Sequence, residues 1–168
     1  LETKVIDKNG EIINDKSKFK GKRLWVTNNP GWSLVIETPT GKGWLNKNLD
    51  TIVKPIYNSV GVFQQRRSIV NYRNKWGVVD DKGNVIVEPQ FEDMWHYSEG
   101  LAKFKLNGKW GFVDRQGKIV IEPNLDYVSE FTKGLAYFET NGKSGFINKK
   151  GKVIIKPVFE TSSFSRFD

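Results

Sequence analysis

The stretch Asn107-Gly108-Lys109-Trp110-Gly111-Phe112-Val113-Asp114-Arg115-Gln116-Gly117-Lys118-Ile119-Val120-Ile121-Glu122-Pro123 decides the fold. Its Trp110-Gly111 pair is preceded by Trp76-Gly77 and followed by Ser144-Gly145, each displaced by 34 residues. Pro89, Pro123 and Pro157 keep the same spacing, and Lys42-Gly43 with Pro55 extend it upstream. A period held four times without insertion marks one supersecondary unit copied along the chain, each copy packing on the next.

Read from Gly100, one unit gives residues 101–106, the pair Asn107-Gly108, residues 110–113, the turn Asp114-Arg115-Gln116-Gly117 and then Ile119 to Ile121 before Glu122-Pro123. These are three short strands and two tight turns. Asn107-Gly108 and Asn141-Gly142 tolerate positive φ at both central positions, as a two-residue hairpin requires. Asp80 to Gly83, Asp114 to Gly117 and Asn148 to Gly151 carry the polar first and glycine fourth residues of a type I turn. Ala102, Phe104 and Leu106 alternate with Leu101, Lys103 and Lys105, which predicts one buried face. Pro123 cannot donate to a ladder and is expected to end the third strand. The polar run 124–133 reads as a connecting loop with at most one helical turn. The expected fold is all-β, an array of three-stranded antiparallel β-meander repeats over residues 59–168. An open, twisted stack is expected over a closed ring, because propeller blades usually carry four strands.

The motif resembles the WG repeat family: a Trp-Gly pair, a D-x-x-G turn, an apolar strand before Pro, and then F-x-x-G-L-A, here Phe131-Thr132-Lys133-Gly134-Leu135-Ala136. The resemblance implies a surface or interaction protein, often bacterial and often exported, with no shared catalytic residue. The unit near Lys42 is degenerate: Lys42 replaces the Trp, Leu49 the turn Gly, and Arg66-Arg67 the Gly-Leu of Gly100-Leu101.

Residues 1–58 read as an N-terminal basic β module. Val5 to Ile13 reproduces the second hairpin, displaced by 39 residues from its next counterpart instead of 34. Gly21 to Val26, Gly31-Trp32-Ser33-Leu34-Val35 and Gly41-Lys42-Gly43-Trp44-Leu45 are similar to the later strands of a bacterial SH3-like domain, and a diverged repeat explains Gly41 to Pro55 equally well.

Composition narrows the chemistry. There is no cysteine and one histidine, so thiolate zinc sites and cysteine nucleophiles are excluded and a histidine triad is disfavoured. No cofactor and no metal site are expected, and no catalytic residue stands out, since Asp80 and Asp114 belong to turns where carboxylates bond backbone amides. No apolar run approaches membrane-spanning length and no leader pattern opens the chain, so membrane insertion is not expected. The net charge of +8 sits in the first half, where residues 1–75 hold 14 Lys+Arg against 6 Asp+Glu. Such asymmetry points to two surfaces with different partners.

The period-breaking residues are the candidate binding sites, because the scaffold does not explain them. Trp95 and His96 stand where the next copy has Ser129-Glu130; they form either a partner anchor or a local cluster with Met94 and Tyr97. Lys16, Lys18, Lys20, Lys22 and Arg23, followed by Trp25 and Trp32, form either an anion-binding face or a protected sheet edge. Arg66 and Arg67 either join that face or make an intramolecular contact. Trp76 and Trp110, repeated in register, are expected in the core. Two functions follow: a non-enzymatic module that displays its repeat surface to a protein or peptide partner, or binding of an anionic polymer, nucleic acid or cell-wall material, by the basic half.

Overall fold

The computed structural model describes residues 20–26, 34–46 and 48–160. Among them there is no helix, and sixteen strands form four sheets of four. The first sheet holds β1 (Arg23–Val26), β2 (Leu34–Thr38), β3 (Gly41–Leu45) and β4 (Thr51–Tyr57), in chain order. The second holds β5 (Ser59–Val60), β6 (Arg67–Tyr72), β7 (Lys75–Asp80) and β8 (Val85–Phe91). The third holds β9 (Asp93–Met94), β10 (Leu101–Leu106), β11 (Lys109–Asp114) and β12 (Ile119–Leu125). The fourth holds β13 (Tyr127–Val128), β14 (Leu135–Thr140), β15 (Lys143–Asn148) and β16 (Val153–Glu160).

The all-β array of meanders is present, with one strand per repeat more than expected. The segment read as a connecting loop contains a two-residue strand: Tyr127 and Val128 pair with Glu139 and Phe138, and Met94 and Asp93 pair with Phe104 and Lys105. With four strands in each sheet, strand count no longer weighs against a closed ring. The first sheet has the strand order of the other three; β2, β3 and β4 keep the 34-residue offset, whereas β1 is displaced by two residues, Arg23 pairing with Glu37 where Ser59 pairs with Asn71.

The fixed gap between Trp-Gly and Pro has a steric cause. Along β11 the pairing moves from Trp110↔Leu125 to Phe112↔Ile121, so two steps on β11 face four on β12. The surplus is a bulge holding Glu122, Pro123 and Asn124, and it lies against Gly111. A Cβ on Gly111 would stand 2.5 Å from the Ile121 carbonyl oxygen and 2.8 Å from Pro123 N. The same contact recurs at Gly43 with Val53 and Pro55, at Gly77 with Val87 and Pro89, and at Gly145 with Ile155 and Pro157. Proline thus sits within β12, in the bulge of the end strand of its sheet, and does not terminate it. A bulge on an edge strand is where a residue without an N–H is tolerated.

Both turn readings hold. Asn107 and Gly108 have φ of 51° and 75°, and Asn141 and Gly142 of 49° and 72°. In the second turn, Oδ1 of Asp80 accepts from the N–H groups of Lys82 and Asn84, that of Asp114 from Gln116 and Lys118, and that of Asn148 from Lys150 and Lys152, all between 2.8 and 3.0 Å. The fourth-place glycine also carries the stacking of repeats. A Cβ on Gly83 would meet the Ile52 carbonyl oxygen at 1.9 Å, and one on Gly117 the Ile86 carbonyl oxygen at 2.8 Å. In the degenerate turn Leu49 takes that place with φ of 66°.

By internal packing the chain divides into Leu1–Asn74 with Val79–Val85, and Lys75–Val78 with Ile86–Asp168. In the first unit, Trp44, Val53 and Tyr57 pack with Val70 and Val79, while Ile36, Leu45 and Leu49 form a smaller cluster. In the second, Phe112, Ile121 and Leu125 of the third sheet pack with Val128, Phe131, Ala136, Phe138 and Ile147 of the fourth. The third sheet is buried on both faces, not one: Leu101 and Lys103 are buried along with Ala102 and Phe104. Trp76 and Trp110, expected in the core, are partly buried, Trp110 lying against the second unit's cluster. The fully buried place is two residues later, at Val78 and Phe112, and Trp44 fills it in the first sheet.

Candidate functional site

Three residues that break the period meet at one ammonium. Lys103 stands where the neighbouring repeats have Ile69 and Tyr137, Trp95 where they have Gly61 and Ser129, and Tyr127 where the two preceding repeats have Asp93 and Ser59. The Lys103 Nζ lies 4.5 Å from the centre of the Trp95 ring, 5.3 Å from that of Trp110 and 5.7 Å from that of Tyr127. It also donates to the Val128 carbonyl oxygen at 3.3 Å.

Local pairing builds this arrangement. The short strand β9 lies beside β10 with Met94 opposite Phe104, and the N–H of Trp95 donates to the Lys103 carbonyl at 3.0 Å. Trp95 is thereby fixed next to Lys103 while its neighbour Met94 goes inward. Lys105 approaches the Trp110 ring at 5.7 Å.

Burial lowers the Lys103 pKa from its ordinary value of 10.5, and the carboxylates of Glu130 and Asp93 act in the opposite direction. A buried ammonium retains its charge when carbonyl oxygens and ring faces replace water, and cation–π contacts are worth about 0.5–2 kcal/mol each. The outer surface of the cluster is open, with Trp95 49% and Tyr127 38% exposed. An exposed Trp held by its own backbone and a lysine is a rigid, amphipathic anchor of the kind that dominates protein interfaces.

The other sequence candidates lie elsewhere. His96 is exposed beside Trp95, while Met94 and Tyr97 on either side are buried, so the expected local cluster takes in Met94 and Tyr97 and leaves Trp95 and His96 at the surface. The Tyr97 hydroxyl donates to the Asp114 carbonyl at 3.2 Å. Lys20, Lys22 and Arg23 are exposed at the start of β1, an end strand of its sheet. Trp25 lies in β1; Lys16, Lys18 and Trp32 lie outside the described residues.

Arg66 makes an intramolecular contact. It occupies a two-residue turn with Gln65, both at positive φ, and its guanidinium donates through Nε and an η nitrogen to Asp81 at 2.8 and 3.3 Å. That hydrogen bond and charge raise the Arg66 pKa further. Arg67 donates to the Arg66 carbonyl at 2.9 Å.

Lys103 and Tyr127 escaped the sequence reading. A lysine alternating with apolar neighbours looks solvent-facing, but Ile69 and Tyr137 at the same place in adjacent copies mark that place as apolar.

A family model described as "WG containing repeat" matches residues 43–76, 76–110, 110–143 and 145–165. The match takes in the degenerate unit, so Gly43 to Pro55 is a diverged repeat; the SH3-like resemblance drew no match. No curated protein matches. Among solved structures the chain is similar to "KlHsv2 with loop 6CD replaced by a Gly-Ser linker", at 13% identity and a TM-score of 0.45, over 77% of this chain and 49% of that one. The chain thus spans about half the length of that structure. Four consecutive matches in register with four like sheets place this chain in the WG-repeat family.

Proposed function

We propose that this chain is a non-enzymatic binding module that presents Trp95, with Tyr127 and Trp110 around Lys103, to a protein or peptide partner. One observation carries the reading: three residues foreign to the period converge on one spot, two of them aromatic and open to solvent. Stacking explains the residues every copy repeats; it does not explain Trp95, Lys103 and Tyr127.

Peptides selected from a random library on the intact chain test the proposal. The selected peptides should bind Trp95→Ala at least tenfold more weakly, survive moderate salt, and leave the unfolding midpoint of that variant near the parent's. Peptides that bind parent and variant alike would sink it. The second reading, anionic-polymer binding by the basic half, draws support from the exposed Lys20, Lys22 and Arg23. A single-stranded oligonucleotide titrated across a salt series should then show affinity that falls steeply with salt and is lost when these three are changed to Ser.

A further inference from the structure

One set of positions can be followed through all four sheets. Trp44, Val53 and Tyr57 are 1%, 2% and 6% exposed, Val78, Val87 and Phe91 are 0%, 6% and 2%, and Phe112, Ile121 and Leu125 are 1%, 9% and 8%. In the last sheet the same positions hold Phe146, Ile155 and Phe159, which are 36%, 43% and 51% exposed.

Where this face is covered, the next repeat covers it. Val70 and Val79 lie against the face of the first sheet, and Ala136, Phe138 and Ile147 against that of the third. On the last sheet the face is an aromatic and branched surface. Phe146 stands opposite Tyr137 on one side and Ile155 on the other, and edge-to-face contacts join Tyr127 to Tyr137 at 6.1 Å and Tyr137 to Phe146 at 5.9 Å. Exposure of this many contiguous apolar side chains marks an interaction surface.

We propose that the open face of the β13–β16 sheet is a docking face for one further repeat sheet of this same kind, seated as the β13–β16 sheet itself seats on the β9–β12 sheet. The chemistry of the occupant is read from the existing junctions: small, aromatic and branched residues at the places of Ala136, Phe138 and Ile147. Among its described residues, a second copy of this chain offers no free face of that kind. Its counterpart positions in the first sheet are Leu34, Ile36 and Leu45, of which Ile36 and Leu45 are already buried at 4% and 1% exposed. Two copies of the open face would instead place like against like, whereas the junctions join unlike faces.

The cysteine-free chain allows one reporter thiol, Ile155→Cys, and its reaction rate with an aromatic disulfide reads cover over the face. In the parent length it should react freely at every protein concentration. Extending the chain after Glu160 by a copy of residues 127–160, in register, should slow the reaction at least tenfold and raise the unfolding midpoint. The same extension carrying Phe138→Lys and Ile147→Lys in the added copy should do neither. A second extension that copies residues 93–126 guards against failure of the first to fold; a thiol left reactive in both, within twofold of the parent, overturns the proposal. It is equally overturned if the parent chain protects the thiol as concentration rises, together with a dimer mass in sedimentation, since a second copy would then be the occupant.

Discussion

Gly111→Ala is a single-methyl test of the bulge. The added Cβ would lie 2.5 Å from the Ile121 oxygen, 2.8 Å from Pro123 N and 3.0 Å from Glu122 C, all backbone atoms. Ordinary contact begins at 3.4 Å, so the bulge must retreat by about 0.9 Å. No flexible side chain can absorb that motion. Overpacking of this kind costs about 1–3 kcal/mol, and the retreat weakens β11–β12 pairing on either side, at roughly 1 kcal/mol for each hydrogen bond lost. The expected total is about 3 kcal/mol. The control is Gly108→Ala, where φ is 75° but nothing lies within 4 Å of the new Cβ; it should cost only the left-handed backbone term, about 1 kcal/mol. In urea unfolding followed by circular dichroism and Trp emission, Gly111→Ala should lower the midpoint about three times as far as Gly108→Ala. Equal shifts for the two variants would show that the bulge yields freely and that the fixed Gly-to-Pro gap has another cause.

Three further outcomes are expected. Leu49→Gly relieves a left-handed leucine, a gain of about 1 kcal/mol, but empties a buried site beside Ile36 and Leu45, a loss of about 2–5 kcal/mol; the urea midpoint should fall, and a rise would refute the balance. Lys103 has its folded pKa below the ordinary 10.5, so the unfolded chain binds more protons as pH approaches 10.5 and parent stability should climb there. Lys103→Met should abolish that climb and change stability at neutral pH by at most about 1 kcal/mol, lost ring contacts offsetting relief of the buried charge; an unaltered alkaline slope would contradict it. The Asp80 carboxyl is held below its ordinary 3.8: burial pushes it up, but hydrogen bonds from Asn84 and Lys82 and the Arg67 charge prevail. That stabilisation is present above the unfolded value and lost as pH falls through the folded one. Asp80→Asn should therefore soften the parent's acid-induced fall in melting temperature below about pH 4; identical acid profiles would count against the assignment.

The fold was legible where residue identity and backbone geometry are tied together. Asn-Gly pairs and D-x-x-G runs announce positive φ, and Asn107, Gly108 and Gly117 have it. Gln65-Arg66 adopts the same left-handed pair with neither glycine nor asparagine, and Arg73-Asn74 with asparagine alone, because the flanking strands impose the turn. The fourth strand was illegible because two residues such as Tyr127 and Val128 are too few to show a period of two. Proline misled for a related reason: it forbids a ladder bond at one residue, and a bulge accommodates that without ending the strand. Trp95 could be singled out as a departure from the period. Lys103 could not, because alternation assumes one wet face while the third sheet is covered on both.

Scaffold and site are separable here for a physical reason. Gly111 and Pro123 are held by contact with each other, and Gly83 and Gly117 by close approach of a neighbouring strand's backbone. A side chain at Gly111 or at its counterparts Gly43, Gly77 and Gly145 would meet main chain, and all four copies hold glycine there. The Lys103 ammonium meets ring faces and one carbonyl oxygen, and Trp95 is half exposed. The equivalents of Lys103 in the other copies are Val35, Ile69 and Tyr137, so the scaffold tolerates change there. Tolerance alone would give unrelated substitutions in each repeat. In the third repeat the departures at Trp95 and Lys103 meet a departure in the fourth, Tyr127, and the three satisfy one another electrostatically, the ammonium over the rings. A coupled set of departures with an open aromatic surface is what a binding site requires of a repeat, and it places the test of function at Trp95 ahead of the tryptophans that recur.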